Sequence, residues 1–187
     1  MKDIFLQRKK DMLSKIDKSF RRKWDKKIIS LCKKINSLEN YYTTSSCSGR
    51  VVLMFDKDKK EKDLFIRIYH DLISFEKLKE DLNEISKKGI IKFKQEPCIL
   101  HVACRSLDDA QKLLDKAKLA GWKKSGIIAS KNRFVVELNS TEKLEFPIIK
   151  NSQILVDDEF LRIIVKKSNE NLKRSWRKVG KLSNLLN

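Results

Sequence analysis

Trp24, Ile28, Leu31, Ile35 and Leu38 recur at alternating steps of four and three, the period of a single helix face. That stripe predicts an amphipathic helix packed on a core. A comparable stripe, Ile4, Phe5, Met12, Leu13, Ile16 and Phe20, runs among charges over residues 3 to 20 and predicts a helix before it. Tyr41 to Arg50 then loses all periodicity. Its Tyr, Thr, Ser, Cys and Gly residues favour turns and read as a loop. Val51 to Phe55 and Leu64 to Tyr69 are β-branched and aromatic, and the charged turn between them predicts two paired strands. Helical spacing returns in Ser74 to Lys87 through Leu78, Leu82 and Ile85, with Gly89 placed to end it.

Strands follow at Ile90 to Glu96 and Cys98 to Arg105, broken at Pro97. Ser106 and Asp109 have capping-box spacing and open a helix running to Ala120 and ending at Gly121. Gly126 to Ser130 and Phe134 to Leu138 read as a hairpin turning at Lys131 and Asn132. Asp157 caps a long closing helix with apolar positions Phe160, Ile164, Leu172 and Val179. Strands and helices mix without strict β-α-β alternation, which predicts an α+β fold with a mixed or antiparallel sheet and flanking helices. We expect a single domain over residues 1–187, its helical first 40 residues docked on the sheet. A chain of 187 residues buries roughly 70% of its unfolded surface and needs neither metal nor disulfides for a core.

Charge adds a direction. Lys and Arg number 43 against 25 Asp and Glu, a formal net charge of +18. Lys-rich genome composition can raise such a total. Placement points further: residues 8 to 27 hold ten basic side chains against three acids, and Lys166, Lys167, Lys173, Arg174, Arg177, Lys178 and Lys181 cluster near the other end. Fields of this sign attract polyanions, in a cytosol chiefly RNA or DNA. Five glycines allow neither a G-x-G-x-x-G nor a P-loop, which sets aside Rossmann dinucleotide enzymes and P-loop NTPases. Cys32, Cys47, Cys98 and Cys104 form no C-x-x-C pair and read as reduced thiols. No apolar run reaches the length of a membrane span, and the N-terminus lacks a signal-peptide core, so a cytoplasmic protein is expected.

The segment TTSSCSGR, residues 43–50, gathers hydroxyls, a thiol, a glycine and Arg50 ahead of a strand. It is either an anion-binding loop, with backbone N–H groups and the Arg50 fork converging on a ligand, or an ordinary polar turn. Cys47 as a nucleophile would need His70 or His101 as its base. His101 and Cys104 lie three apart on a strand and face opposite sides, which argues against a zinc pair. His101 is a core or a pocket histidine, and Glu96 a surface acid or a pocket carboxylate.

The blocks LSKID, YYTTSSCSGRV, a strand ending in His70, FKQEPCILHVAC, AGWKKSGI and NSTEKLEFPI follow one another in an order that resembles the tRNA wybutosine-synthesizing protein 3 family, including its archaeal members. The resemblance implies an S-adenosylmethionine-dependent methyltransferase with a non-Rossmann α+β fold. It implies methylation of the N-4 nitrogen of a wyosine-type tricyclic guanosine next to the anticodon of phenylalanine tRNA. It further implies a cofactor site at Ser45, Ser46, Cys47, Gly49, Ser125 and Gly126, substrate contacts at Arg50, Ser140 and Thr141, and His70, His101 and Glu96 as catalytic candidates. Phe65 stands where the family commonly has Trp, and Asn139 where it commonly has Arg. Neither a metal nor an obligate protein partner is implied. The alternative is a non-catalytic basic RNA-binding module.

Overall fold

The computed structural model describes residues 3–14, 25–57, 63–131 and 133–186. Their elements run α1 (Ile4–Ser14), α2 (Ile29–Ser37), β1 (Tyr41–Cys47), β2 (Arg50–Phe55), β3 (Phe65–Tyr69), α3 (Phe75–Asn83), β4 (Ile90–Glu96), β5 (Ile99–Cys104), α4 (Leu107–Leu119), β6 (Gly126–Ala129), β7 (Phe134–Asn139), β8 (Leu144–Lys150), β9 (Gln153–Ile154) and α5 (Asp158–Leu185). The class is α+β with two sheets, ordered β1-β5-β7-β6 and β3-β2-β4-β8-β9. Every pairing is antiparallel, so the fold is not of Rossmann type. None of the described helices is long and apolar enough to cross a membrane. The chain divides into two compact units, one of residues 1–48, 98–141 and 176–187, the other of residues 49–97 and 142–175.

The first unit holds the four-stranded sheet. Its core is built from one face of that sheet, Leu100, Val102, Cys104, Val136 and Leu138, with Ile28, Leu31 and Ile35 from the α2 stripe and Leu113 and Ala117 from α4. Trp24 of the expected stripe and residues 15–20 of the first helix lie outside the described residues, as does half of the N-terminal basic cluster. The α4 cap forms as its spacing predicts: Ser106 Oγ accepts from Asp109 N–H at 3.0 Å and donates to the Asp109 carboxylate at 2.6 Å. At the other end Gly121 adopts φ 97°, letting Trp122 N–H reach Ala117 O and Gly121 N–H reach Lys118 O. This is the Schellman closure, and its left-handed residue is the reason for glycine.

Tyr41 to Cys47 is an edge strand, not the loop its composition predicts. Pairing with β5 and hydrogen bonds between Thr43 and Asn36 of α2, at 2.8, 3.1 and 3.2 Å, override the turn propensity. Phe5 of α1 packs its ring 5.3 Å from Tyr42 on the same strand.

The second unit holds the five-stranded sheet, with α3 and residues 158–175 of α5. Val51, Leu53, Ile91 and Phe93 bury one face, where Phe93 stacks on Phe146 at 5.3 Å and Phe146 meets Phe160 edge-on at 5.6 Å. The buried amide of Gln95 is satisfied on both sides, donating to Glu96 O and Glu142 O and accepting from Asn171 of α5 at 2.8 Å. The α5 cap is Asp157, whose carboxylate accepts from Phe160 N–H at 2.8 Å. The α3 helix stops at Asn83, short of the predicted end, and Gly89 instead turns the chain into β4 through Asn151. Strand β8 went unpredicted because Pro147 interrupts its ladder. It is tolerated there because the two-residue β9 covers only the far end of β8.

Asp81 ties α3 to β3. Its side chain is 2% exposed and accepts from Arg67 at 2.9 Å and Tyr69 Oη at 2.5 Å, with Lys77 at 3.3 Å. Burial pushes this carboxyl upward, but the hydrogen bonds from Tyr69, Arg67 and Lys77 outweigh it and hold it below the usual range. Its contribution is therefore present at neutral pH and lost as pH falls through that lowered value. Asp81→Ala is expected to destabilise by about 1–3 kcal/mol at pH 7. Urea melts should show that gap narrowing below pH 4, the side of the ordinary carboxyl value of 3.8 on which the native contribution fades.

Candidate active site

On the face of the four-stranded sheet turned away from its core, Ser45, His101 and Glu137 stand directly opposite one another on β1, β5 and β7. Ser45 Oγ lies 2.6 Å from His101 Nδ1, and Glu137 Oε2 lies 2.9 Å from His101 Nε2. Ser45 is exposed, and the His101 and Glu137 side chains retain 25% and 31% of their surface. A β-bulge makes the row. Thr43 opposes Val102 and Ser45 opposes His101, so Thr44 is the inserted residue, its Oγ1 3.4 Å from His101 O. In a ladder without the bulge Thr44 would oppose His101, and Ser45 would oppose Leu100 and face the core. Bulges re-aim side chains in this way beside functional sites.

The partners fix the tautomer. A Glu137 carboxylate accepts the Nε2 proton, leaving Nδ1 as the acceptor for the Ser45 hydroxyl. The exposed residue of the row is Ser45, with a base behind its hydroxyl. Gly126 continues the row on β6, opposite Glu137, and a Cβ built there would meet nothing within 4 Å. One step further along the same face, Asn139 Oδ1 is buried without a hydrogen-bond partner among the described residues.

A second cluster of the first unit centres on Ser48, fully buried. Its N–H and Oγ both donate to Asp25, at 2.5 and 2.6 Å, and Trp176 Nε1 donates to its Oγ at 3.2 Å. Lys27 Nζ lies 4.6 Å over the Trp176 ring.

In the second unit Arg50 donates from Nε to Glu96 at 2.6 Å, and Lys94 lies 3.2 Å from the other oxygen of that carboxylate. Burial raises the Glu96 carboxyl, but the Arg50 hydrogen bond and charge, with Lys94, prevail and hold it low. Glu96 is an ion-paired carboxylate, a weak base suited to orienting Arg50. The Arg50 guanidinium lies 5.0 Å over the Phe65 ring. His70 is exposed just beyond β3.

A family model described as Methyltransferase TYW3 matches residues 7–187. The chain belongs to this family. A Methanocaldococcus jannaschii protein named tRNA(Phe) 7-((3-amino-3-carboxypropyl)-4-demethylwyosine(37)-N(4))-methyltransferase is 38% identical over 176 residues, covering 91% of each chain. A Danio rerio protein named tRNA wybutosine-synthesizing protein 3 homolog is 32% identical, covering 98% of this chain and 75% of its own. The solved structure of a Pyrococcus horikoshii protein matches with a TM-score of 0.88 at 34% identity, over 98% of this chain and 96% of that one.

Within this chain the residues singled out from sequence fall into several settings. Ser45, His101 and Gly126 share one row. Cys47 follows on the same face, opposite Ile99, but the imidazole is taken by the Ser45 hydroxyl. Ser46 turns to the other face, where its hydroxyl meets the Cys32 thiol. Ser125 Oγ donates to Trp122 O and accepts from Asn139 N–H, a tie between turn and strand. Ser140 is buried with its N–H on Cys98 O, and Thr141 is exposed beside it. Gly49, at φ 98°, links β1 to β2. Sequence reasoning missed Glu137, Asp25 and Ser48, and named Asn139 only as a departure from the family. For Glu137 a signal existed, an acid alternating with Val136 and Leu138, but its partner depends on register.

Proposed function

We propose that this protein transfers a methyl group from S-adenosylmethionine to the N-4 nitrogen of a wyosine-type tricyclic guanosine beside the anticodon of phenylalanine tRNA, in the cytoplasm. The observation that carries the reading is the Ser45, His101 and Glu137 row on a solvent-accessible sheet face. The residues around it fit such a methyl donor: the space above Gly126 leaves room, and Asn139 Oδ1, without a partner among the described residues, offers an acceptor for a hydroxyl or ammonium group. Cys47, Gly126 and Asn139 would hold the donor. When bound, it supplies an electrophilic methyl group.

The acceptor nitrogen must lose a proton as it gains carbon. A substrate N–H set against Ser45 Oγ passes its proton there while Oγ passes its own to His101 Nδ1. Glu137 stabilises the imidazolium that forms and keeps the ring oriented. The chain's remaining task is to position the reactants and exclude water. Lys166, Lys167, Lys173, Arg177 and Lys181 are exposed along α5 and supply cationic charge for the tRNA backbone.

The test is titration calorimetry with S-adenosylmethionine followed by transfer of its labelled methyl group to hypomodified phenylalanine tRNA. Binding heat and label in the tRNA are expected. Tight, salt-sensitive tRNA binding with neither would overturn the reading in favour of a non-catalytic RNA-binding module.

A further inference from the structure

Edge strand β3 carries apolar side chains that the core of its own unit does not use. Phe65 is 41% exposed and Ile68 44% exposed. They pair with Met54 and Val52, which puts both on the face opposite Leu53 and Phe93. A single exposed phenylalanine is ordinary. This one has a guanidinium 5.0 Å from its ring centroid, and that guanidinium is held by Glu96 at 2.6 Å. Beside Phe65 opens a cleft of about 440 Å³, lined also by Arg67, Ser86 and Lys87 and by two acids, Asp63 and Glu84, of which Glu84 is paired with Arg67 at 2.7 Å. An aromatic face, an anchored guanidinium plane, an exposed lysine and room for a nucleotide are the parts with which proteins take unpaired bases.

We infer that the open face of the Phe65 ring is the stacking platform for an unpaired base of an RNA loop, with Arg50 backing the other face of the ring and Lys87 receiving the adjoining phosphate. The occupant follows from charge and shape. A chain of net charge +18 selects a polyanion, and a π face reaches a base only where it is unstacked. The inference rests on the RNA-substrate reading above and assigns a surface to it. Glu96 acts here as a positioning residue, holding the guanidinium plane over the ring.

The test is fluorescence anisotropy with a labelled, unmodified anticodon stem-loop and, as control, a duplex of the same stem without the loop. Phe65→Leu keeps apolar bulk and removes the π face; Phe65→Trp keeps the face. The Leu variant is expected to bind the stem-loop about tenfold more weakly, with Trp near wild type and duplex binding unchanged. Wild-type stem-loop affinity in Phe65→Leu, or an equal loss on loop and duplex, would overturn the platform. Failure of the methyltransferase reading is separately visible: the expected binding pattern with no label transferred by wild type would leave the platform standing alone. Label transfer by wild type with an indifferent Leu variant would remove the platform alone. The exposure of Phe65 keeps thermal melting a usable control for all three proteins.

Discussion

His101→Ala is expected to lower single-turnover methyl transfer by about 10²–10⁴-fold, the span usual for removing a positioned acid–base group. It should leave the melting temperature almost unchanged, because His101 stands on the face away from Leu100, Val102 and Cys104 and keeps 25% of its side-chain surface. Two companions separate a proton relay from a structural row. Ser45→Ala removes the atom that meets substrate and should cost nearly as much. Glu137→Gln still accepts the Nε2 proton through its carbonyl and so keeps the tautomer, but it cannot stabilise the imidazolium. An intermediate loss is expected there, with KM little moved. Equal small losses in all three variants, with unchanged pH–rate profiles, would sink the relay.

The row was half legible from sequence. Strand alternation placed His101 opposite in sense to Leu100, Val102 and Cys104, which left core and pocket as alternatives. The structure removes the first, since those three face the core and His101 does not. Ser45 was marked as a candidate for its chemistry, yet its segment read as a loop. Serine and threonine gain little from strand geometry in isolation, and the pairing that makes β1 a strand comes from β5, 52 to 63 positions later by register. The bulge at Thr44 is invisible to any period-two argument because it is the point where that period breaks. Glu137 needed two registers to be known at once. Elements closed by local chemistry were plainer: the Ser106 cap, the Gly121 stop and the β6–β7 hairpin depend on neighbours within a few residues. The second sheet was beyond reach for the same reason as the row. Pro97 separates β4 from β5, and nothing local says that the strands on either side belong to different sheets.

Arg50 carries the other large expectation. In wild type its Nε bond to Glu96 and its own charge, with help from Lys94, outweigh the burial that would raise the Glu96 carboxyl. That carboxyl therefore stabilises the fold above the ordinary glutamate value of 4.5, and the contribution disappears as pH falls through the lowered native value. Arg50→Ala leaves burial opposed only by Lys94, at 3.2 Å, so the carboxyl should rise and the variant should lose about 1–3 kcal/mol at neutral pH. Acidification should narrow the difference from wild type, which urea melts across pH 3 to 7 would show. The loss of activity should be larger than this modest destabilisation, about 100-fold in methyl transfer at saturating tRNA, because the RNA loop loses the guanidinium-backed ring that orients it. Arg50→Lys should behave more like Ala than like wild type: an ammonium keeps the charge but has neither the planar face to lie over Phe65 nor the fork to hold Glu96 at the same time. Glu96→Gln, which still accepts from Nε, should retain more activity than either. Wild-type turnover in Arg50→Ala would remove Arg50 from the site and leave its bond to Glu96 as a feature of the fold.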